Sequence, residues 1–182
     1  PVRMVKRWKD KRMDRYLSEQ ELERLGHELN EAEARNENPK AIAIIRLLAL
    51  TGARKSEITT LTWNEIDFDH GILRLRDSKT GQKTIPVGKS ALTILAAQPR
   101  TNDSNYVFPA DKLGRQDAER SYFQGIDAIW HRVRSKAGLA DVRLHDLRHT
   151  AASIAVANGA SLPMIGRILG HADAKTTQRY AH

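Results

Sequence analysis

Apolar positions along this chain change their spacing several times, and each change marks an element. From Ser18 the spacing is helical: Leu22, Leu25 and Leu29 share a face, Ser18 stands as N-cap, and Glu21 completes a capping box. The seven Glu between positions 19 and 37 read as that helix's solvated face. Asn38 and Pro39 make a cap and first-turn pair for a second helix, whose run AIAIIRLLAL is apolar on nearly every side and stops at Gly52. Such a helix belongs in the middle of a core. After a short helix through Leu61 the period drops to two. Leu73 and Leu75 alternate with Arg74 and Arg76, turn residues follow, and an alternating run resumes around Ile85, which predicts a small antiparallel sheet with its loop at Asp77 to Gly81. Helical spacing returns from Lys89 to Ala97, and again through Phe123, Ile126, Ile129, Trp130 and Val133 before Gly138. Three short helices close the chain, stopped by Gly159 and Gly170 and restarted near Ser161 and Asp173. The fold class is mixed α/β, predominantly helical with one small three-stranded antiparallel sheet.

Composition narrows the partners. A chain of 182 residues suits one domain, or one domain and a small appendage, and 40% hydrophobic residues are enough for a core. A formal net charge of +8 points to a polyanion, with nucleic acid the leading candidate, because a basic surface attracts phosphate backbones through its field and through counterion release. Residues 1 to 15 hold seven Lys or Arg against two Asp, which reads either as an arm lying on phosphates or as a solvated tail. We divide the chain into a basic linker, 1–17, and a folded domain, 18–182. The absence of cysteine excludes disulfides and thiolate metal sites. No apolar stretch is long enough to span a membrane and no signal-peptide core follows the basic start, so the expectation is a soluble, cytoplasmic protein.

Three stretches are dense in chemistry. In TGARKSEI, Gly52 ends the buried helix and Arg54 stands where the next begins, so its guanidinium and the free amides there could face one anion, with Glu57 one turn on to orient it. The alternative is an ordinary surface arginine. In LHDLRHT, His145 shares a helical face with Arg148 and with His149. Two His four apart also raise a zinc site, against which stand Asp146 in place of the Glu that zinc hydrolases use and an Arg between the imidazoles. In ASLPMIGRILGH, an Ala-rich helix, a turn at Gly159 and a second helix resemble a helix-turn-helix. A metal-dependent nuclease would need clustered carboxylates, and only Asp67 and Asp69 alternate on one expected strand.

Together these pieces resemble the tyrosine recombinase family, also called phage-type integrases. TGARKSEITTLTW, the hairpin DSKTG, HDLRHT, ILGH and the terminal TTQRYAH fall in the family's order and cover residues from about 40 to 182. The resemblance implies the family's catalytic-domain fold. It makes Tyr180 the nucleophile that takes a DNA 3′-phosphate and releases a 5′-hydroxyl. It gives Arg54 and Arg148 the non-bridging oxygens, Lys79 the leaving oxygen, with Lys83 the runner-up, and His145 and His171 the rest of the pocket, with Glu57 in support. No cofactor and no metal are implied. The partner is double-stranded DNA, on which the full-length family assembles as a homotetramer; this chain alone could be monomeric. The family usually carries a core-binding domain before the catalytic one and a segment beyond the tyrosine, so a fragment of a longer protein is expected.

Those residue types suit that chemistry. A phenol with a pKa of about 10 is a weak nucleophile at neutral pH and needs a basic or cationic surround. Arginine forks match phosphate oxygens bidentately and stay protonated, so they stabilise the charge that builds in the transition state. A lysine in a hairpin can follow the leaving oxygen and protonate it. His149, Leu147, Ala151 and Ala152 read as packing residues, and Met164, Ile165, Ile168 and Leu169 as a core stripe. Besides a phage or mobile-element integrase, Xer-like resolution of chromosome dimers, a type IB-like topoisomerase and a non-enzymatic helix-turn-helix regulator remain open.

Overall fold

A computed structural model describes residues 15–78, 81–101, 104–111, 121–169 and 177. Among these are seven α-helices, most of them packed on the second, and one three-stranded sheet beside them. Helix α1 (Glu19–Ala34) begins as the sequence demands: Ser18 Oγ accepts from the Glu21 N–H, and the Glu21 carboxylate accepts from the Ser18 N–H. Its acidic face is less uniform than the pattern suggested. Glu28 is buried and takes an ion pair from Arg35, while Glu21 is engaged by Arg15.

Helix α2 (Pro39–Thr51) is the axis of the fold. Asn38 caps it through the Lys40 and Ala41 amides, eight of its residues are buried, and it touches α1 and the later helices α3 (Lys55–Thr59), α4 (Lys89–Ala96), α5 (Ile126–Lys136) and α6 (Leu144–Ala157). A helix packed by so many neighbours needs apolar residues on most of its faces, which its sequence supplies, with Leu50 left exposed and Arg46 paired with Glu33 on the open side.

The sheet runs β1 (Ile66–Asp67), β2 (Ile72–Ser78), β3 (Gly81–Pro86), antiparallel throughout, with Leu73 opposite Ile85 and Leu75 opposite Lys83. Strand pairing reaches Ser78 and Gly81, so the hairpin loop is tighter than the expected Asp77 to Gly81, and the register shifts between Leu75 and Ser78. On β3 the inward positions are Lys83 and Ile85. Phe123 lies before α5 rather than in it, its N–H donating to the Phe108 carbonyl.

Helix α6 is a full 14 residues, longer than the short helix expected, and α7 (Leu162–Leu169) packs against both α6 and β3. Ile165 and Leu169 are buried with Ala152, whereas Met164 is half exposed. Of the expected core stripe, Ile165 and Leu169 are inside and Met164 is not, and the side chain of Ile168 lies outside the described residues. Met164 precedes Ile165 by one residue, about 100° around the helix, and falls outside the buried row. No described helix is long and apolar enough to cross a membrane.

Candidate active site

Gly52 makes the first turn of the site. It closes α2 in the left-handed region (φ 64°), and a Cβ there would meet the Ala151 Cβ at 3.3 Å, so both the turn and the approach of α6 require glycine. Two residues later Arg54 is the N-cap of α3. Its backbone N–H donates to Glu57 Oε2 at 2.8 Å and its guanidinium Nη1 donates to Glu57 Oε1 at 2.8 Å. The orienting role expected of Glu57 thus has a definite geometry: the carboxylate caps the helix and grips the arginine at once.

A third partner comes from the sheet. Lys83, inward on β3, donates from Nζ to Glu57 Oε2 at 2.8 Å. The side chains of Glu57 and Lys83 are 4% and 3% exposed, and that of Arg54 is 22% exposed. Burial pushes the Glu57 carboxyl up, but hydrogen bonds from Lys83 and from Arg54 outweigh it and hold it below its ordinary value. Burial pushes Lys83 down; the Glu57 charge resists this, and the charges of Arg148 and Arg54 add to it. Two cations therefore share one carboxylate, and the charge of Arg148 reaches Lys83, which makes a locally positive site in a poorly solvated setting.

Arg148 enters from α6 and is almost wholly buried. Its Nη1 donates to the Gly52 carbonyl at 2.8 Å and its Nη2 to the Leu169 carbonyl. Both carbonyls lie at helix C-termini, of α2 and α7, where the dipole favours a cation. His145, exposed in the first turn of α6, lines a cleft of about 270 Å³ together with Arg54, Lys55, Arg143 and Asp127. Arg143 repeats the Arg54 arrangement: it is the N-cap of α6, and Asp146 accepts from its backbone N–H at 2.8 Å and from its guanidinium.

The structure thus brings Arg54, Glu57 and Arg148 together, with His145 on the same cleft as Arg54. Lys79, His171 and Tyr180 lie outside the described residues, as does the third closing helix apart from Thr177, which is helical and buried. Lys83 as the partner of Glu57, and Arg143 and Lys55 on the cleft wall, were not assigned these places from sequence. The alternation Lys83, Ile85 was the available signal for the first.

The rival readings meet specific contacts. The Asp146 carboxylate is turned back onto Arg143 rather than toward the imidazoles, and no group of three or more His, Asp or Glu suited to a metal occurs among the described residues. β1 ends at Asp67, which accepts from His70 and Arg74, so Asp67 and Asp69 do not share the expected strand face. α7 contacts β3 and α6 and buries Ile165 and Leu169, while Pro163 and Met164 stay exposed, so one side of it is packed into the domain.

A small sheet thus lies beside a helical core, with Arg54 and His145 on one cleft and Arg148 buried where the ends of α2 and α7 meet. The chain matches the phage integrase family over residues 15–182 and belongs to it. It is 32% identical over 173 residues to tyrosine recombinase XerD of Brucella suis biovar 1 (strain 1330), covering 88% of this chain and 55% of that protein. The chain therefore spans about half the length of the curated relatives it matches. Among solved structures it superposes on XerA recombinase with a TM-score of 0.74 at 29% identity, covering 93% of this chain and 61% of that one. XerH recombinase bound to its difH substrate shares the fold, with a TM-score of 0.70 at 19% identity, covering 92% of this chain and 50% of that one. The architecture is that of tyrosine recombinase catalytic domains.

Proposed function

We propose that this domain cuts and rejoins DNA at specific sites through a covalent 3′-phosphotyrosyl intermediate. The observation that carries the reading is the meeting of Arg54 and Lys83, from two separate elements, on the buried carboxylate of Glu57, with Arg148 close enough for its charge to act on Lys83, beside a cleft lined by Arg54 and His145. Arg54 and Arg148 take the non-bridging phosphate oxygens. Tyr180 attacks phosphorus, the bond to the 5′-oxygen breaks, and Lys79 supplies the proton that turns that oxygen into a 5′-hydroxyl. His145 and His171 handle the phenol's proton and help hold the phosphate. Resealing is the reverse, with the 5′-hydroxyl of another strand as nucleophile; the phosphodiester's energy is kept in the tyrosyl bond, so neither ATP nor a metal is required.

Glu57 is the supporting group. Its charge holds Arg54 in place, and its enclosure by Lys83 fixes the β3 edge from which the hairpin carrying Lys79 departs. Lys83 is itself tied into this pair, which supports Lys79 over Lys83 as the proton donor. Double-stranded DNA is the partner, as a domain of this charge and the DNA-bound XerH relative suggest, and a homotetramer on two sites is the working assembly. Relatives named XerD and XerA favour a second reading within the same chemistry, resolution of chromosome dimers rather than integration of a mobile element. We place the protein with DNA in the cytoplasm.

The test is covalent trapping on nicked duplexes in EDTA, quenched with detergent. The reading expects a protein–DNA adduct that persists in EDTA and is absent in Tyr180→Phe. Cleavage that needs a divalent ion, or an adduct retained by the variant, would contradict it.

A further inference from the structure

The segment that enters the domain, residues 15–17, does more than lead into α1. Leu17 is buried, and its N–H donates to Thr150 Oγ1 at 3.0 Å; that hydroxyl in turn donates to the Asp146 carbonyl at 2.8 Å. Arg15 bridges the Glu21 carboxylate on α1 and Asp141 in the turn before α6, at 2.6 and 2.8 Å. Tyr16 packs with the small apolar cluster of Ala152, Ile165 and Leu169 that holds α7 on α6. Its ring also meets His149 edge-on at 6.3 Å, and the His149 ring stands perpendicular to that of His145 at 4.8 Å.

Leu17 and Tyr16 reach the helix that carries His145 and Arg148, and Arg15 ties the turn that launches this helix to α1. A row of rings runs from the segment into the cleft: Tyr16, His149, His145. A second route passes through the α6–α7 cluster to Leu169, whose carbonyl receives Arg148. We infer that residues 15–17 form a positioning strap, with Thr150 and His149 as its receptors on α6, which sets the ring of His145 and the seat of Arg148. The inference rests on the proposed function for its kinetic consequence, not for its structural one. It makes Tyr16 and Thr150 positioning residues: neither touches the phosphate, and both act through α6.

Two substitutions separate the strap from general packing. Thr150→Val keeps the shape and removes the hydroxyl, whereas Thr150→Ser keeps the hydroxyl; Tyr16→Leu keeps apolar bulk in the cluster and removes the ring edge. At a temperature where all variants are folded, Thr150→Val and Tyr16→Leu should slow single-turnover cleavage about tenfold with DNA affinity unchanged, because a small displacement of catalytic groups costs rate rather than binding. Thr150→Ser should cleave like the unsubstituted chain. In the same samples the imidazole NMR resonances of His145 should move in Tyr16→Leu and Thr150→Val and stay in Thr150→Ser. Unchanged cleavage and unmoved His145 resonances in the first two variants would overturn the strap, as would equal loss in Thr150→Ser. If the unsubstituted chain forms no adduct, the recombinase reading fails, and the His145 resonances alone decide the strap.

Discussion

Two helices of this domain start in the same way and end up in different circumstances. α3 begins with Arg54 and α6 with Arg143; in each an acidic residue three positions on accepts from the arginine's backbone N–H and from its guanidinium. Both arginines line one cleft. The difference lies in what joins them. Glu57 receives Lys83 and the three side chains are withdrawn from water, whereas the Arg143 side chain is 60% exposed above a buried Asp146. A local motif thus builds a helix cap in both places, and a partner from the sheet turns one of them into a charged core. The first encloses the counter-charge of its arginine, and the second leaves the Arg143 guanidinium exposed at the cleft while still bonded to Asp146.

The largest effect should come from neutralising the enclosed carboxylate. Glu57→Gln leaves Arg54 and Lys83 without their counter-charge, and equilibrium urea unfolding should show a loss of about 3–5 kcal/mol. The corresponding Asp146→Asn should lose about 1 kcal/mol, the worth of a cap. Equal losses would erase the distinction between the two helix starts. The pH dependence of the same measurement has a definite sign. The folded-state pKa of Glu57 is depressed, so its contribution is complete above the ordinary carboxyl value of 4.5 and is lost as pH falls through the depressed one. Glu57→Gln should flatten that part of the acid limb.

Next in size is Lys83→Met, which leaves Glu57 its Arg54 contacts and removes one charged hydrogen bond. A loss of about 2 kcal/mol is expected, with a non-additive double mutant alongside Glu57→Gln. Lys79→Ala sharpens the division of labour between the two lysines. Cleavage in that variant should fall by about 10²-fold or more, and a substrate whose leaving group needs no proton should restore it. If such a substrate rescues Lys83→Met instead, the roles are reversed.

The smallest effect belongs to Arg143→Ala. Its exposed ion pair should contribute less than about 1 kcal/mol to stability, while the slope of log affinity for DNA against log salt should fall by about one if a phosphate sits at that end of the cleft. An unchanged slope would remove Arg143 from the DNA-facing wall.

Much of this was legible in the sequence because it is local. Ser18 with Glu21, Asn38 with Pro39, the stop at Gly52 and the pairing of Arg54 with Glu57 all act within four residues, and each appears as the spacing implied. The bond from Arg148 to the Gly52 carbonyl joins positions 96 apart; the family resemblance grouped Arg148 with Arg54, and nothing in the sequence pointed to Gly52 as its partner. Lys83 on Glu57 depends on the register of β3 and on the side of the sheet that α3 approaches, neither of which spacing encodes. Met164 was misread because a short helix rich in apolar residues does not say which row faces inward; Ile165 and Leu169 do, against Ala152. Glu28 was read as solvated from its acidic neighbours, yet it sits beside Leu29 on the inner side, where Arg35 reaches it.

The most direct measurement is mass-spectrometric mapping of the residue joined to DNA after trapping, with the chemistry of the released end read on the same sample. The account predicts a nucleotide 3′-phosphate on Tyr180 and a free 5′-hydroxyl on the released strand. A link to any other side chain, or strands released with a 5′-phosphate and no link to protein, would contradict it.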